Sequence, residues 1–120
     1  MQTRHLIAAA LAAAFVSPAF AQAPATPKVD QRQANQERRI DQGVASGSLT
    51  QREANRLERG QQHVDNMENR AKADGVVTRR ERARLNHAQN VQSRHIYAQK
   101  HDRQHDFNHD GRVDRPRRRY

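Results

Sequence analysis

The stretch GSLTQREANRL, residues 47–57, aligns without a gap on GVVTRRERARL, residues 75–85, at a separation of 28 residues. The Gly, an aliphatic residue two positions on (Leu49 and Val77), and then Thr, Arg, Glu, Arg and Leu coincide in the two copies. In each copy a Thr is followed three residues later by a Glu, Thr50 by Glu53 and Thr78 by Glu81. That is a capping box: the Thr side chain accepts from the backbone amide three residues on, and the Glu side chain reaches back to the amide of the Thr. Both copies therefore predict a helix start at a defined residue, Gln51 and Arg79, with a Gly turn closing the helix before it. Two such units in series specify an all-α chain.

On either side of the repeat, the sequence is rich in Gln, Glu, Arg and Ala and has no Pro between Pro27 and Pro116, which favours helix throughout. The pattern predicts helices over 29–44, 51–73 and 79–104. Leu57, Val64 and Ala71 recur every seven residues along the second, with Ala54 and Met67 near the same face; the third offers Leu85, Ala88, Val91 or Gln92, and Ile96. These stripes are narrow, as in helical hairpins and coiled-coil seams. The expected architecture is antiparallel helical hairpins, with self-association through the same seams as a further expectation.

The N-terminus sets the compartment. Arg4 and His5 precede an apolar run of 11 residues, Leu6–Val16, and a small-x-small end at Ala19-Phe20-Ala21, the pattern of a secretory signal peptide cleaved after Ala21. The apolar run is shorter than the ~20 residues a membrane-spanning helix needs. Residues 22–28 (QAPATPK) read as a flexible linker, 29–105 as the helical repeat domain, and 106–120 as an acidic segment followed by a basic tail. The absence of Cys removes both a lipid anchor and disulfides. A periplasmic or secreted location follows.

Net charge is +9, and +8 once Arg4 is removed, carried by 19 Arg and 3 Lys. Inside a cell such a balance suggests nucleic acid. Outside it the available polyanions are membrane head groups and envelope polymers, so nucleic acid is not the expected partner. Arg115, Arg117, Arg118 and Arg119 form the densest cationic run and suit bidentate contacts to phosphate. No GxSxG elbow, phosphate-binding glycine loop or Cys nucleophile is present, and most carboxylates sit beside Arg, as on a solvated helix surface. The chain reads as a non-enzymatic protein.

DFNHDGRVD, residues 106–114, carries the most specific chemistry. Side-chain oxygens of Asp106, Asn108 and Asp110 alternate with spacers, Gly111 follows, and Asp114 lies three further on. This resembles the calcium loop of the EF-hand family, including its dockerin-like variants, over about nine residues. The resemblance implies a calcium ion held by Asp106, Asn108, Asp110, the backbone carbonyl of Arg112, and Asp114 through water. It departs from the family at its end, where Arg117 stands in place of the bidentate Glu, Pro116 precedes it and five Arg crowd the loop. The affinity expected is roughly 0.1–1 mM, the range of extracellular modules.

The repeat resembles the second half of the same loop, with Asp74, Gly75, Val77, Thr78 and Glu81 filling its later positions. Arg70 and Lys72 stand where the first carboxylates belong, and Gln42, Val44 and Ser46 are no better in the first copy. Both copies read as ion-free relatives. Gly75 and Gly111 are 36 residues apart, a spacing like that of paired EF-hand loops, so Val77 and Val113 are expected to meet as a short strand pair. A second metal chemistry is open in His101, His105 and His109, spaced by four. If the third helix continues to residue 104, His101 and His105 share a face able to take Zn2+, Cu2+ or Ni2+.

Overall fold

The computed structural model describes residues 25–114, and in them the chain forms three α-helices and no strand. They are α1 (Pro27–Ala45), α2 (Gln51–Lys72) and α3 (Arg79–Lys100). The predicted signal peptide, residues 1–21, and the tail Arg115–Tyr120 lie outside the described residues.

Both capping boxes form. Thr50 Oγ1 accepts from the Glu53 amide at 3.4 Å while Glu53 Oε2 accepts from the Thr50 amide at 2.9 Å; the equivalent pair at Thr78 and Glu81 measures 3.2 and 2.8 Å. These bonds satisfy amides that the first helical turn leaves without partners. Between the helices the chain turns at Gly47 (φ +71°) and Gly75 (φ +84°), in the left-handed region that Gly enters without penalty.

The contacts between elements give the topology. Ile40 of α1, Ala54 and Leu57 of α2, and Ile96 of α3 form one apolar cluster with Leu49, and Val44 packs against it. Ala71, Val77 and Leu85 form a second, joined by Val29 and Met67. The start of α1 thus meets the end of α2 and the start of α3, and each helix runs antiparallel to the one before it. The result is an up-down-up three-helix bundle with one apolar cluster towards each end.

Glutamines occupy the space between the two clusters. Gln36 donates to the Gln89 carbonyl (2.8 Å), Gln89 to the Val29 carbonyl (3.0 Å) and Gln92 to the Leu57 carbonyl (2.7 Å). All three side chains are buried. Each bond joins two helices and contributes a net ~1 kcal/mol, and each also fixes the register, because a shift by one residue would leave a buried amide unpaired. Gly60 permits the approach, since a Cβ there would stand 2.8 Å from Cδ of Gln92. The heptad positions Leu57, Val64 and Ala71 are buried as expected. In α3 the buried stripe is Leu85, Gln89, Gln92 and Ile96, whereas Ala88 and Val91 are half-buried.

Three expectations are corrected. Residues 25–28 are not a linker: α1 begins at Pro27, whose fixed φ suits a first helical position, and Thr26 is buried. The Thr26 hydroxyl donates to Glu68, a buried carboxylate that also accepts from Gln33 (3.1 Å) and pairs with Lys72 (2.6 Å). Second, α3 ends at Lys100 and does not reach residue 104. Asp102 Oδ1 accepts from the Gln104 amide at 2.7 Å, a local Asx turn that competes with the helix. Third, Val77 and Val113 form no strand pair: Val77 is buried against Ala71 and Leu85 while Val113 is 49% exposed.

Candidate metal loop

The segment after α3 folds back on the bundle and docks on the first inter-helix turn. The Asp106 amide donates to the Gly47 carbonyl at 2.8 Å, and His109 Nε2 donates to the Val44 carbonyl at 3.0 Å. A side chain at residue 47 would collide with this segment, as a Cβ there would lie 2.6 Å from Cα of Phe107 and 2.7 Å from the Asp106 carbonyl oxygen. Gly47 therefore serves two purposes, its positive φ and the close passage of a second backbone. The equivalent position in the second repeat, Gly75, has nothing within 4 Å of such a Cβ. The acidic loop is thus paired with the first copy of the repeat, and the expected pairing with the second is not formed.

Within the loop the carboxylates bind backbone amides. Asp106, itself buried, accepts from the Asp110 amide through Oδ1 (3.0 Å) and from the Gly111 amide through Oδ2 (3.0 Å). Asn108 Oδ1 accepts from the Asp110 amide (3.1 Å), Asp110 Oδ1 from the Arg112 amide (2.8 Å) and Asp114 Oδ2 from the Phe107 amide (2.7 Å). The Asp114 amide closes the loop on the His105 carbonyl at 2.7 Å. Gly111 turns the chain at φ +78° and His109 also takes a positive φ, +57°. Asn108 Nδ2 donates to Asp110 Oδ2 at 3.2 Å, which places these two oxygen-bearing side chains side by side.

The arrangement is a compact turn carrying oxygen donors at Asp106, Asn108, Asp110 and Asp114, with the Arg112 carbonyl in the same loop. Hard oxygen donors fit calcium in kind. Among the described residues, however, no three His, Asp or Glu side chains are gathered so that they could hold an ion as they stand. Asp106 has both carboxylate oxygens on backbone amides, whereas Asp110 Oδ2 and Asp114 Oδ1 accept from none, so an ion there would have to draw these side chains together.

The histidines are separated by the end of α3. His101 caps the helix, stacks on Tyr97 with ring centroids 4.1 Å apart and donates through Nδ1 to the Tyr97 carbonyl at 2.7 Å. His105 stacks on Phe107 at 4.8 Å, and its Nδ1 is buried with no hydrogen-bond partner. His109 spends Nε2 on Val44. The shared helical face expected of His101 and His105 is absent because the helix stops before either residue. Arg115, Arg117, Arg118 and Arg119 lie outside the described residues.

The sequence reading missed the polar cluster around Glu68. Burial alone would raise the Glu68 carboxyl, but the Lys72 ammonium and the Thr26 hydroxyl outweigh it and hold the group below its ordinary value. Lys72 is raised in turn by its bond to Glu68, and Asp30 is raised by burial and by the negative charge of Glu68. The only hint in the sequence was the i,i+4 spacing of Glu68 and Lys72. This cluster ties the start of α1 to the end of α2 and is structural.

A scan against protein-family models, a search of curated proteins and a search of solved structures found no match to this chain.

Proposed function

We propose that this is an exported, non-enzymatic protein whose loop at residues 106–114 binds a divalent cation, calcium, with weak affinity. The ligands are Asp106, Asn108, Asp110, the carbonyl of Arg112, and Asp114 through water. The two inter-helix turns are ion-free relatives of that loop, so the chain is a bundle of EF-hand-like helix-loop-helix units with one ion site. The N-terminal pattern, Arg4 to Ala21, supports a periplasmic or secreted location. Millimolar calcium outside the cytoplasm is the setting in which a site of roughly 0.1–1 mM affinity responds.

The observation that carries this reading is the folded turn itself. Asp106, Asn108 and Asp110 occur at alternate positions of one loop, and Gly111 supplies the positive φ that the sharp turn needs. The surrounding Arg residues and the missing position-12 carboxylate explain why the affinity is low.

Backbone amide NMR on the mature chain, with calcium and separately zinc as titrants, tests the proposal. The expected result is a saturable shift of the Gly111 amide with calcium at a midpoint of roughly 0.1–1 mM. Silence at several millimolar calcium, with imidazole shifts of His101, His105 and His109 on zinc, would replace it with a transition-metal protein. Silence with both ions, and binding to anionic vesicles that falls steeply with salt, would replace it with an envelope-associated structural protein.

A further inference from the structure

The α2–α3 hairpin has two sides, and α1 covers one of them. The other side is an open groove of about 770 Å³. Val64, Met67, Ala88 and Val91 line it, and Gly60 lowers one wall. Met67, Ala88 and Val91 are half-buried and give the floor its accessible apolar surface, while Val64 is itself covered. From Arg80 to His95 the groove follows 16 residues of α3, roughly 22 Å at a rise of about 1.5 Å from each residue to the next. This is the length of about four helical turns.

The ionisable groups lining this groove are Arg80, Arg84, His63, His87 and His95, with no carboxylate among them. Neither Arg forms an ion pair among the described residues. The groove between α1 and α2 has the opposite character: Glu37, Asp41, Glu58 and Asp65 line it, with Arg59 as its single cation. The uneven division of charge therefore belongs to particular faces of the bundle as well as to the total.

We propose that the α2–α3 groove is the docking site of an acidic amphipathic helix from a partner protein, which adds a fourth helix to the bundle. An apolar stripe at i, i+3, i+4 and i+7 seats on Met67, Ala88 and Val91, and flanking Asp or Glu meet Arg80 and Arg84. The covered side of the hairpin shows that this pair of helices accepts a third, as α1 places Ile40 and Val29 against the seam there. A cationic rim selects an acidic occupant over a neutral or basic one. A second copy of this chain is a poorer occupant. Its acidic face is lined by polar side chains apart from Ile40, which is buried, and offers no apolar ridge for the floor.

The probes are two designed peptides of about 18 residues, long enough to span the groove. Both carry the same leucine stripe; one is flanked by Glu and the other by Lys. Binding to the purified chain is read by fluorescence anisotropy and mapped by methyl and amide NMR. The Glu peptide is expected to bind at least tenfold more tightly than the Lys peptide, to weaken as salt rises, and to shift Val64, Ala88, Val91 and Gly60. The double variant R80E/R84E changes only exposed side chains; it should weaken the Glu peptide at least tenfold and strengthen the Lys peptide. Equal binding of the two peptides, shifts confined to other faces, or no response to R80E/R84E would overturn the proposal. So would self-association through this face in the absence of peptide, or anionic vesicles shifting the same residues while the Glu peptide does not.

Discussion

Replacing Gly47 and Gly75 by Ala, one at a time, separates the docking of the acidic loop from the turn that carries it. The two glycines are equivalent in the repeat and both have positive φ, +71° and +84°. The conformational penalty for a Cβ there is similar at both, about 1–2 kcal/mol. They differ in their surroundings. At Gly75 a Cβ meets nothing within 4 Å, whereas at Gly47 it would lie 2.6 Å from Cα of Phe107 and 2.7 Å from the Asp106 carbonyl oxygen. Both neighbours are backbone, so they cannot swing aside and the segment must lift away. Lifting it breaks the bonds from Asp106 to Gly47 and from His109 to Val44, together about 1–3 kcal/mol at 0.5–1.5 kcal/mol each. Gly75→Ala should then cost about 1–2 kcal/mol and Gly47→Ala about 2–5 kcal/mol once the broken bonds are added. Urea unfolding followed by far-UV circular dichroism measures both, and amide NMR of Asp106 and Gly111 reports whether the loop has left the bundle. Equal destabilisation by the two variants, with the Asp106 amide unmoved in Gly47→Ala, would show that the loop does not rest on the first turn.

Other perturbations probe the caps, the buried carboxylate and the glutamine layer. Thr50→Ala and Thr78→Ala should each cost about 1 kcal/mol through the missing cap, with Thr50 the costlier because its box is buried and Glu53 Oε2 loses the hydroxyl donor there, a difference visible in urea midpoints. Glu68→Gln should cost about 1.5–3 kcal/mol, the range for a hydrogen bond to a charged group. Because the folded state holds Glu68 below its ordinary value of 4.5, its ionised form contributes stability above that value, and the contribution is lost as pH falls through the lower folded pKa. The acid limb of a stability–pH curve should therefore be shallower in Glu68→Gln than in the parent chain. Gly60→Ala should displace Gln92, break its bond to the Leu57 carbonyl and lower stability by about 1–3 kcal/mol, and the nuclear Overhauser effects between Leu57 and the Gln92 side-chain amide should disappear.

The legible parts of the fold were those encoded locally. Thr50 with Glu53 and Thr78 with Glu81 act within four residues of chain, so their chemistry could be read without knowing any neighbour. Leu57, Val64 and Ala71 were legible because a single helix face is enough to define them. Gln89 was not, and Gln92 only as an alternative to Val91, since a polar side chain is buried only when a carbonyl of another helix is there to accept from it, and neither Val29 nor Leu57 announces that role. The end of α3 turned on the short side chain of Asp102, which captures the Gln104 amide where no Gly or Pro gave a stop signal. That one boundary decided the fate of His101 and His105 as a helical pair.

At the acidic loop, the alternation of Asp106, Asn108 and Asp110 and the turn at Gly111 could be read directly. Its partner could not. The spacing of 36 residues between Gly75 and Gly111 pointed to the second turn, yet the loop sits on the first. The two turns are alike in sequence, and only the position of residues 106–109 beside the end of α1 and the first turn distinguishes them. The up-down-up course brings the end of α3 next to the end of α1, so residues 43–50 are the surface within reach.

Equilibrium dialysis with radioactive calcium decides whether the loop at residues 106–114 holds an ion, since it counts ions without depending on any structural signal. One ion per chain is expected, with a Kd of roughly 0.1–1 mM, abolished in the double variant Asp106→Asn/Asp110→Asn and insensitive to equimolar zinc. Less than about a tenth of an ion per chain at about 5 mM calcium, well above the expected Kd, or full binding retained in the double variant, would contradict the calcium assignment.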